Sequence, residues 1–316
     1  MGKSMANTKS LAFIGLGIMG LPMAGHLLEA GNQLTVFTRT RSKAEGLLGK
    51  GAKWAESAAG AARSAEIVFM CLPDTPDVEN VVGQIVPEAR AGQIVVDHST
   101  ISPSATRGMA EQLAGKGATL LDAPISGGDV GARNATLSIM VGGPAEAFAA
   151  VEPYLKLMGK TITHCGPSGA GQLTKLTNQI LVSLTNLATC EAIAFAVKNG
   201  LDGQKTLAAL GGGAGSSWQF NNLGPRMLAG DFAPGSQTGE HPDRRPRPSS
   251  CHGLRTGQVD RVGLRADRER RDHGHPVLHV ARAGERAPRL DHDGDRRSWL
   301  GCDSLRPLDG QGPVYR

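Results

Sequence analysis

The sequence predicts an α/β chain: a doubly wound parallel sheet, then a smaller all-helical domain, then a tail without regular structure. Three observations carry this. Short, near-continuous apolar runs recur at residues 11–15, 34–38, 67–72, 94–97, 119–122 and 137–141, with helical stretches and Gly-containing turns between them. From about 169 to 197 the pattern becomes one long helix-compatible stretch with no proline. After residue 235 the composition breaks.

Each element has its own reason. Apolar runs of four to six residues are strands covered on both faces, and alternation with helices places those helices on the two sides of one parallel sheet. The first run leads into Gly15-Leu16-Gly17-Ile18-Met19-Gly20, and an apolar helix-like run from Met23 follows. Gly-x-Gly-x-x-Gly at a strand-to-helix turn is a dinucleotide fingerprint. Its first glycine allows the tight turn, its second lets a pyrophosphate approach the backbone, and its third lets helix and strand pack closely. The N-terminus of the following helix offers free N–H groups to the phosphates. These features predict a Rossmann-type domain over residues 9–167.

The second strand ends in Thr38-Arg39-Thr40-Arg41, with no carboxylate to hold a ribose 2′-OH. Arg39 can pair with a 2′-phosphate, and Thr38 or Thr40 can hydrogen-bond it. NADP(H) is therefore the expected cofactor, with NAD(H) second. Leu72-Pro73-Asp74 and Asp97-His98-Ser99-Thr100 end two further strands, on the ligand-binding edge of such a sheet.

The long stretch holds Leu173, Leu176, Ile180, Leu184, Leu187 and Ile193 at helical spacing. About 29 residues at ~1.5 Å each make a rod of roughly 43 Å, enough to leave one domain and enter another. Shorter helices are expected near 202–210 and 216–229. Lys175 and Asn178 lie at i, i+3 on one face of the long helix, and Lys175 is the sole lysine between 161 and 197.

The motif wording resembles a known family. Gly-Leu-Gly-x-Met-Gly-x-x-Met-Ala (residues 15–24) is similar to the opening signature of the β-hydroxyacid dehydrogenases, which include 3-hydroxyisobutyrate dehydrogenase and several semialdehyde reductases. Asp122-Ala123-Pro124-Ile125-Ser126-Gly127-Gly128 resembles the family's substrate loop, and Gly169-x-Gly171-x-x-x-Lys175-x-x-Asn178 its helix motif. The resemblance implies Lys175 as proton donor and acceptor, with Asn178, Ser126, Gly127 and Gly128 holding the substrate. It implies that Leu72, Pro73, Ser99 and Thr100 line the nicotinamide, which makes His98 incidental. The substrate would be a small carboxylate-bearing aldehyde or hydroxyacid, and the protein a homo-oligomer.

Bulk properties set the limits. At 316 residues the chain can hold two cores, and 40% apolar content fits a globular protein. No run of about 18 apolar residues occurs, so no membrane span is expected. The polar N-terminus suggests no signal peptide, and a cytoplasmic location follows. Cys71, Cys165, Cys190, Cys251 and Cys302 are scattered without a CxxC, against a zinc site or a disulfide framework. No metal is expected.

Residues 236–316 carry 16 Arg and no Lys against 12 acids, most of the net charge of +5. Because the acids interleave with the arginines, no basic stripe forms and nucleic-acid binding is not expected. This tail also lacks Ile, Phe, Met and Asn, residues of AT-rich codons. A GC-rich gene read in a shifted frame gives this bias, so the tail is expected to be a frameshift product, with a genuine Arg-rich tail as the alternative. Either version buries too little apolar surface to order itself. The resemblance ends at about residue 235, before the family's Lys-Asp-Leu segment, which helps close the cofactor site. The helical domain (168–235) is thus expected to be partial, to expose Trp218, Phe220 and Leu223, and to leave the enzyme impaired.

Overall fold

The computed structural model describes residues 9–231. The expectations for residues 236–316 lie outside the described residues.

Nine strands form one sheet: β1 Leu11–Ile14, β2 Leu34–Phe37, β3 Lys53–Trp54, β4 Ile67–Met70, β5 Ile94–Asp97, β6 Thr119–Asp122, β7 Ile125–Ser126, β8 Leu137–Gly142 and β9 Gly159–Gly166. The helices are α1 Gly20–Glu29, α2 Glu45–Leu48, α3 Ala58–Arg63, α4 Thr75–Ile85, α5 Pro103–Ala114, α6 Gly128–Arg133, α7 Ala145–Leu155, α8 Ala170–Lys198, α9 Gly203–Gly211 and α10 Trp218–Leu228. The strand order is β3-β2-β1-β4-β5-β6-β8-β7, with β9 also on β8. β3 to β6 are mutually parallel along that order. β8 runs antiparallel to β6 and β7, while β9 pairs with it in parallel.

The sheet is thus mostly parallel rather than wholly so. The sequence reading missed β3, β7 and β9 for a physical reason. β3 and β7 have two residues each, too few for any periodicity. β9 is a half-exposed edge strand rich in polar residues, so it lacks the continuous apolar run of its buried neighbours.

Alternate residues of each central strand enter two cores. Leu11, Phe13, Val36, Phe69, Val96 and Leu121 face one side; Ala12, Ile14, Val68, Met70, Val95 and Leu120 face the other. Local signals start the helices. Ser57 caps α3, Asp74 caps α4 ahead of a first-turn proline, Asp202 caps α9 and Ser217 caps α10. Each side chain accepts a hydrogen bond from a backbone N–H that the helix leaves unpaired.

α8 extends over 29 residues, and α9 and α10 fold back on its C-terminal half. A small core of Ile193, Leu207 and Phe220 joins them, with Met227 and Leu228 packed against it. Phe220 is therefore buried, which corrects the expectation of an exposed apolar face there: it faces α8 across the turn that Ser217 caps. Trp218 is exposed and Leu223 half-buried. Of the apolar stripe on α8, Leu173, Ile180, Leu184 and Leu187 are each more than half exposed, while Ile193 is buried. By length and mean hydropathy (1.8) α8 would suffice to cross a membrane. No uninterrupted apolar run signalled this, because polar residues break it along its length: Thr174, Lys175, Thr177, Asn178 and Gln179 at the start, then Ser183, Thr185, Asn186, Thr189 and Glu191.

Candidate active site

The sheet's switch point lies at β1, which pairs with β2 on one side and β4 on the other, so that Ile14 aligns with Phe37 and Met70. The order in which successive strands are added reverses there, opening a crevice at the carboxyl ends of the parallel strands. The fingerprint loop emerges from this crevice. Gly15 has φ +94°, and a Cβ on it would strike the Cys71 carbonyl and come 2.9 Å from Leu72 Cδ2. A Cβ on Gly20 would strike the Gly15 carbonyl and lie 3.0 Å from Phe13 Cε1. Around Gly17 the space is open, with no heavy atom within 4 Å of where a Cβ would be.

These three glycines therefore do different jobs: a turn, an open approach and a close packing contact. Leu16 is buried and pins the loop to the core, while Ile18 is exposed and Met19 half-buried. α1 begins with no side-chain cap and no acidic residue in its first turn. Its N-terminal N–H groups and partial positive charge thus face no competing carboxylate, and this cradle fits a dinucleotide pyrophosphate.

At the end of β2, Thr38 is half-buried and Arg39 and Thr40 are exposed. Arg39 Nη1 is 3.3 Å from Asp77 Oδ1 of α4, in a well-solvated ion pair. Leu72 N donates to Ser99 Oγ at 2.9 Å, which ties the ends of β4 and β5 together beside the glycine loop. Pro73 and Thr100 are exposed, and Ser99 is buried.

His98 sits in the core. Its ring stacks on Phe69 at 5.9 Å, and its Nδ1 lies 2.8 Å from the Ala123 carbonyl. Burial pushes its pKa down to about 4, so the ring is neutral at pH 7. The neighbouring Asp97 is buried as well, and desolvation pushes its carboxyl up to about 7. Burial, with a smaller contribution from Asp97, raises the Cys71 thiol to about 12, which leaves it unreactive.

The residues expected to hold substrate come from two distant segments. Ser126 ends β7 and is half-buried. Gly127 (φ +131°) and Gly128 (φ +62°) turn the chain into α6, a backbone path that side-chain-bearing residues rarely take. Asn178 on α8 points its Nδ2 at Ser126 Oγ, 3.5 Å away. One turn earlier, Lys175 is only 8% exposed. Among the described residues its amine has no hydrogen bond or ion pair. Desolvation lowers its pKa from the ordinary lysine value. A buried amine whose charged form is disfavoured by desolvation gives up its proton more readily than an exposed lysine, which suits it to acid–base chemistry.

Comparison with known proteins gives the family. Residues 10–166 match the NAD-binding domain of 6-phosphogluconate dehydrogenase, and residues 169–241 match the NAD-binding segment of NADP-dependent 3-hydroxyisobutyrate dehydrogenase. The chain is 44% identical to 2-hydroxy-3-oxopropionate reductase of Escherichia coli K12, over 73% of this chain and 80% of that one. It is 43% identical to 3-hydroxyisobutyrate dehydrogenase of Pseudomonas aeruginosa, over 68% of this chain and 73% of that one.

The chain belongs to the β-hydroxyacid dehydrogenase family. Its members are NAD(P)-dependent oxidoreductases acting on small hydroxyacids. The solved Mycobacterium tuberculosis 3-hydroxyisobutyrate dehydrogenase with L-serine superposes with a TM-score of 0.65 at 34% identity, over 69% of this chain and 75% of that one.

Two residues of this β-hydroxyacid dehydrogenase have a place in the site that motif reading did not assign. Asp122 is fully buried at the end of β6, and its carboxylate accepts from Gly169 N and Gln172 N at the start of α8. Gln172 is buried beside it. Both stood inside recognised motifs, but nothing in their spacing signals that a carboxylate 47 residues away caps a helix. Among the described residues no three His, Cys, Asp or Glu side chains gather to hold a metal ion.

Proposed function

We propose that this chain is an NADP(H)-dependent oxidoreductase that interconverts a small β-hydroxyacid and its semialdehyde, with Lys175 as general acid and base. One observation carries the reading: the Lys175 amine, buried and with no partner among the described residues, sits one helical turn before Asn178, whose amide meets Ser126 Oγ at 3.5 Å. The open approach at Gly17, the uncapped start of α1 and the Leu72–Ser99 wall are the residues that would hold the dinucleotide. When bound, the nicotinamide supplies the hydride. Ser126 and the Gly127–Gly128 backbone hold the substrate carboxylate, Asn178 orients the substrate, and Lys175 gives its proton to the alkoxide oxygen formed on reduction. In the oxidative direction neutral Lys175 takes the hydroxyl proton. Because burial disfavours its charged form, the amine returns the proton readily in either direction.

NADP(H) is favoured over NAD(H) by Arg39 and by the lack of a carboxylate at the end of β2. Residues 9–167 act as the cofactor domain and 168–235 as the substrate-side helical domain. The exposed apolar residues of α8 favour a homo-oligomer, and the free thiols of Cys71 and Cys165 favour a reducing, cytoplasmic setting.

The test is a panel of glyoxylate, succinic, tartronate and methylmalonate semialdehydes with NADPH and NADH, run on this chain and on Lys175→Met. Turnover of at least one semialdehyde, abolished in the variant, is expected. Equal turnover by both proteins overturns the role of Lys175. A second reading, an impaired enzyme that binds NADP(H) without turnover, draws on the exposure of Trp218, Ile180, Leu181 and Leu184 in the helical part. Cofactor binding with no turnover across the panel would select it.

A further inference from the structure

A buried polar network surrounds the start of α8. Asp122 Oδ1 accepts from Gly169 N at 2.8 Å and its Oδ2 from Gln172 N at 2.9 Å. The Gln172 side chain then reaches the end of β5: its Nε2 donates to the Ser99 carbonyl at 2.8 Å, and its Oε1 accepts from Ile101 N at 3.1 Å. Ser99 Oγ in turn accepts from Leu72 N. Three segments therefore meet at two side chains: the cofactor wall, the strand leading into the Ser126 loop, and the helix bearing Lys175.

The packing around this joint leaves no slack. A Cβ on Gly171 would lie 2.6 Å from the Asp122 carbonyl oxygen and 2.9 Å from its Oδ2. A Cβ on Gly142 would lie 2.6 Å from Asp122 Oδ1. Gly171 thus serves the approach of α8 to β6, not a phosphate. A helix held at its first turn on two sides has its rotation about its own axis set. Gln172 and Lys175 are spaced i, i+3 and share a face, so fixing one aims the other. The carboxylate also complements the partial positive charge of the helix N-terminus.

We propose that Asp122 and Gln172 are positioning residues that set the rotation of α8 and so hold the Lys175 amine in its buried place, one turn before Asn178. The proposal rests on the reading of Lys175 as the proton carrier. Breaking the joint lets the first turn of α8 move and water reach Lys175. Deleting the Asp122 charge would, by direct electrostatics, lower the Lys175 pKa further. Displacement into water raises it. The two effects have opposite signs, so the direction of change identifies the cause.

The experiment compares the full chain with Asp122→Asn and Gln172→Glu. Asparagine keeps the shape but turns an amide against an N–H; glutamate keeps the acceptor for Ile101 N and loses the donor to Ser99. Acetylation of Lys175 by acetic anhydride is followed by mass spectrometry across pH, with a free lysine peptide as the rate reference. NADPH affinity is read by nicotinamide fluorescence, and neither readout requires turnover. In the parent chain the Lys175 midpoint lies below the ordinary lysine value of 10.5. In a variant with cooperative unfolding intact it moves up, by about one pH unit, and Gln172→Glu also weakens NADPH binding several-fold. An unchanged or lowered Lys175 midpoint in folded variants overturns the proposal. So does loss of folding in both variants, which would make the network a general scaffold. Failure of the Lys175 reading is separate: it appears as normal turnover by Lys175→Met, with the labelling result intact.

Discussion

Asn178 Nδ2 lies 3.5 Å from Ser126 Oγ, although the two residues are 52 positions apart and belong to a helix and a two-residue strand. This pair marks where the Ser126 loop meets α8, one turn from the buried Lys175. Replacing Ser126 or Asn178 by alanine is expected to raise KM for the hydroxyacid or semialdehyde about ten-fold, the scale of one lost hydrogen bond to a charged group. Cofactor affinity should not change. Steady-state kinetics beside a fluorescence titration of NADPH checks both halves.

Lys175→Met keeps the volume and removes the proton. A fall in kcat of about 10²–10⁴-fold is expected, with NADPH binding preserved. The pH profile carries a sign. Reduction needs the protonated amine, so its rate falls as pH rises through the Lys175 pKa, and oxidation rises over the same range. Burial places that pKa below the ordinary 10.5. Profiles of kcat/KM in both directions test this; a break at or above 10.5 would contradict the structure.

Gly17 and Gly20 should separate binding from stability. Gly17 has open space, so alanine there leaves thermal stability nearly unchanged but occupies the approach of the pyrophosphate and weakens NADPH binding. At Gly20 the added methyl strikes the Gly15 carbonyl and crowds Phe13, which is expected to destabilise by about 1–3 kcal/mol. Thermal unfolding with and without cofactor distinguishes the two variants.

Arg39 is held by Asp77 at 3.3 Å in a solvated pair that a 2′-phosphate would compete for. Arg39→Ala should weaken NADPH binding about ten-fold with little effect on NADH. Asp77→Asn frees the guanidinium and should tighten NADPH binding. Equal loss of NADPH and NADH affinity in the alanine variant would remove Arg39 from cofactor selection.

His98 and Asp97 make opposite contributions to stability against pH. His98 titrates at about 4 in the fold against 6.5 in the unfolded chain. The unfolded chain therefore binds the extra proton between those values, and His98 lowers stability as pH falls from 6.5 to 4. Asp97, raised from 3.8 to about 7, is protonated in the fold where the unfolded chain is charged, so its contribution is lost as pH rises through that window. His98→Phe keeps a ring on Phe69 and removes one of the two. Relative to the parent chain, the variant should gain about 3 kcal/mol between pH 8 and pH 4. Urea unfolding at the two pH values measures it.

Much of this was legible in the chain because it is local. The fingerprint glycines, the buried central strands and α8 follow from patterns that contiguous residues express, and the three motifs named the family. β3, β7 and β9 were not legible, since two-residue pairings and a polar edge strand have no pattern of their own. Phe220 was misjudged because its burial depends on Ile193 and Leu207, which only the folding back of α9 and α10 brings near.

The sequence by itself determined a dinucleotide cradle, a helix carrying Lys175 and Asn178 on one face, and the absence of an acid at the end of β2. Only the tertiary structure decided that Asp122 caps α8 from β6, that Gln172 ties it to Ser99, and that the Lys175 amine is buried with no partner among the described residues. The physical reason is that composition and spacing act through neighbouring residues. Burial and the partners of a carboxylate depend on segments that meet only when the sheet and α8 close on each other.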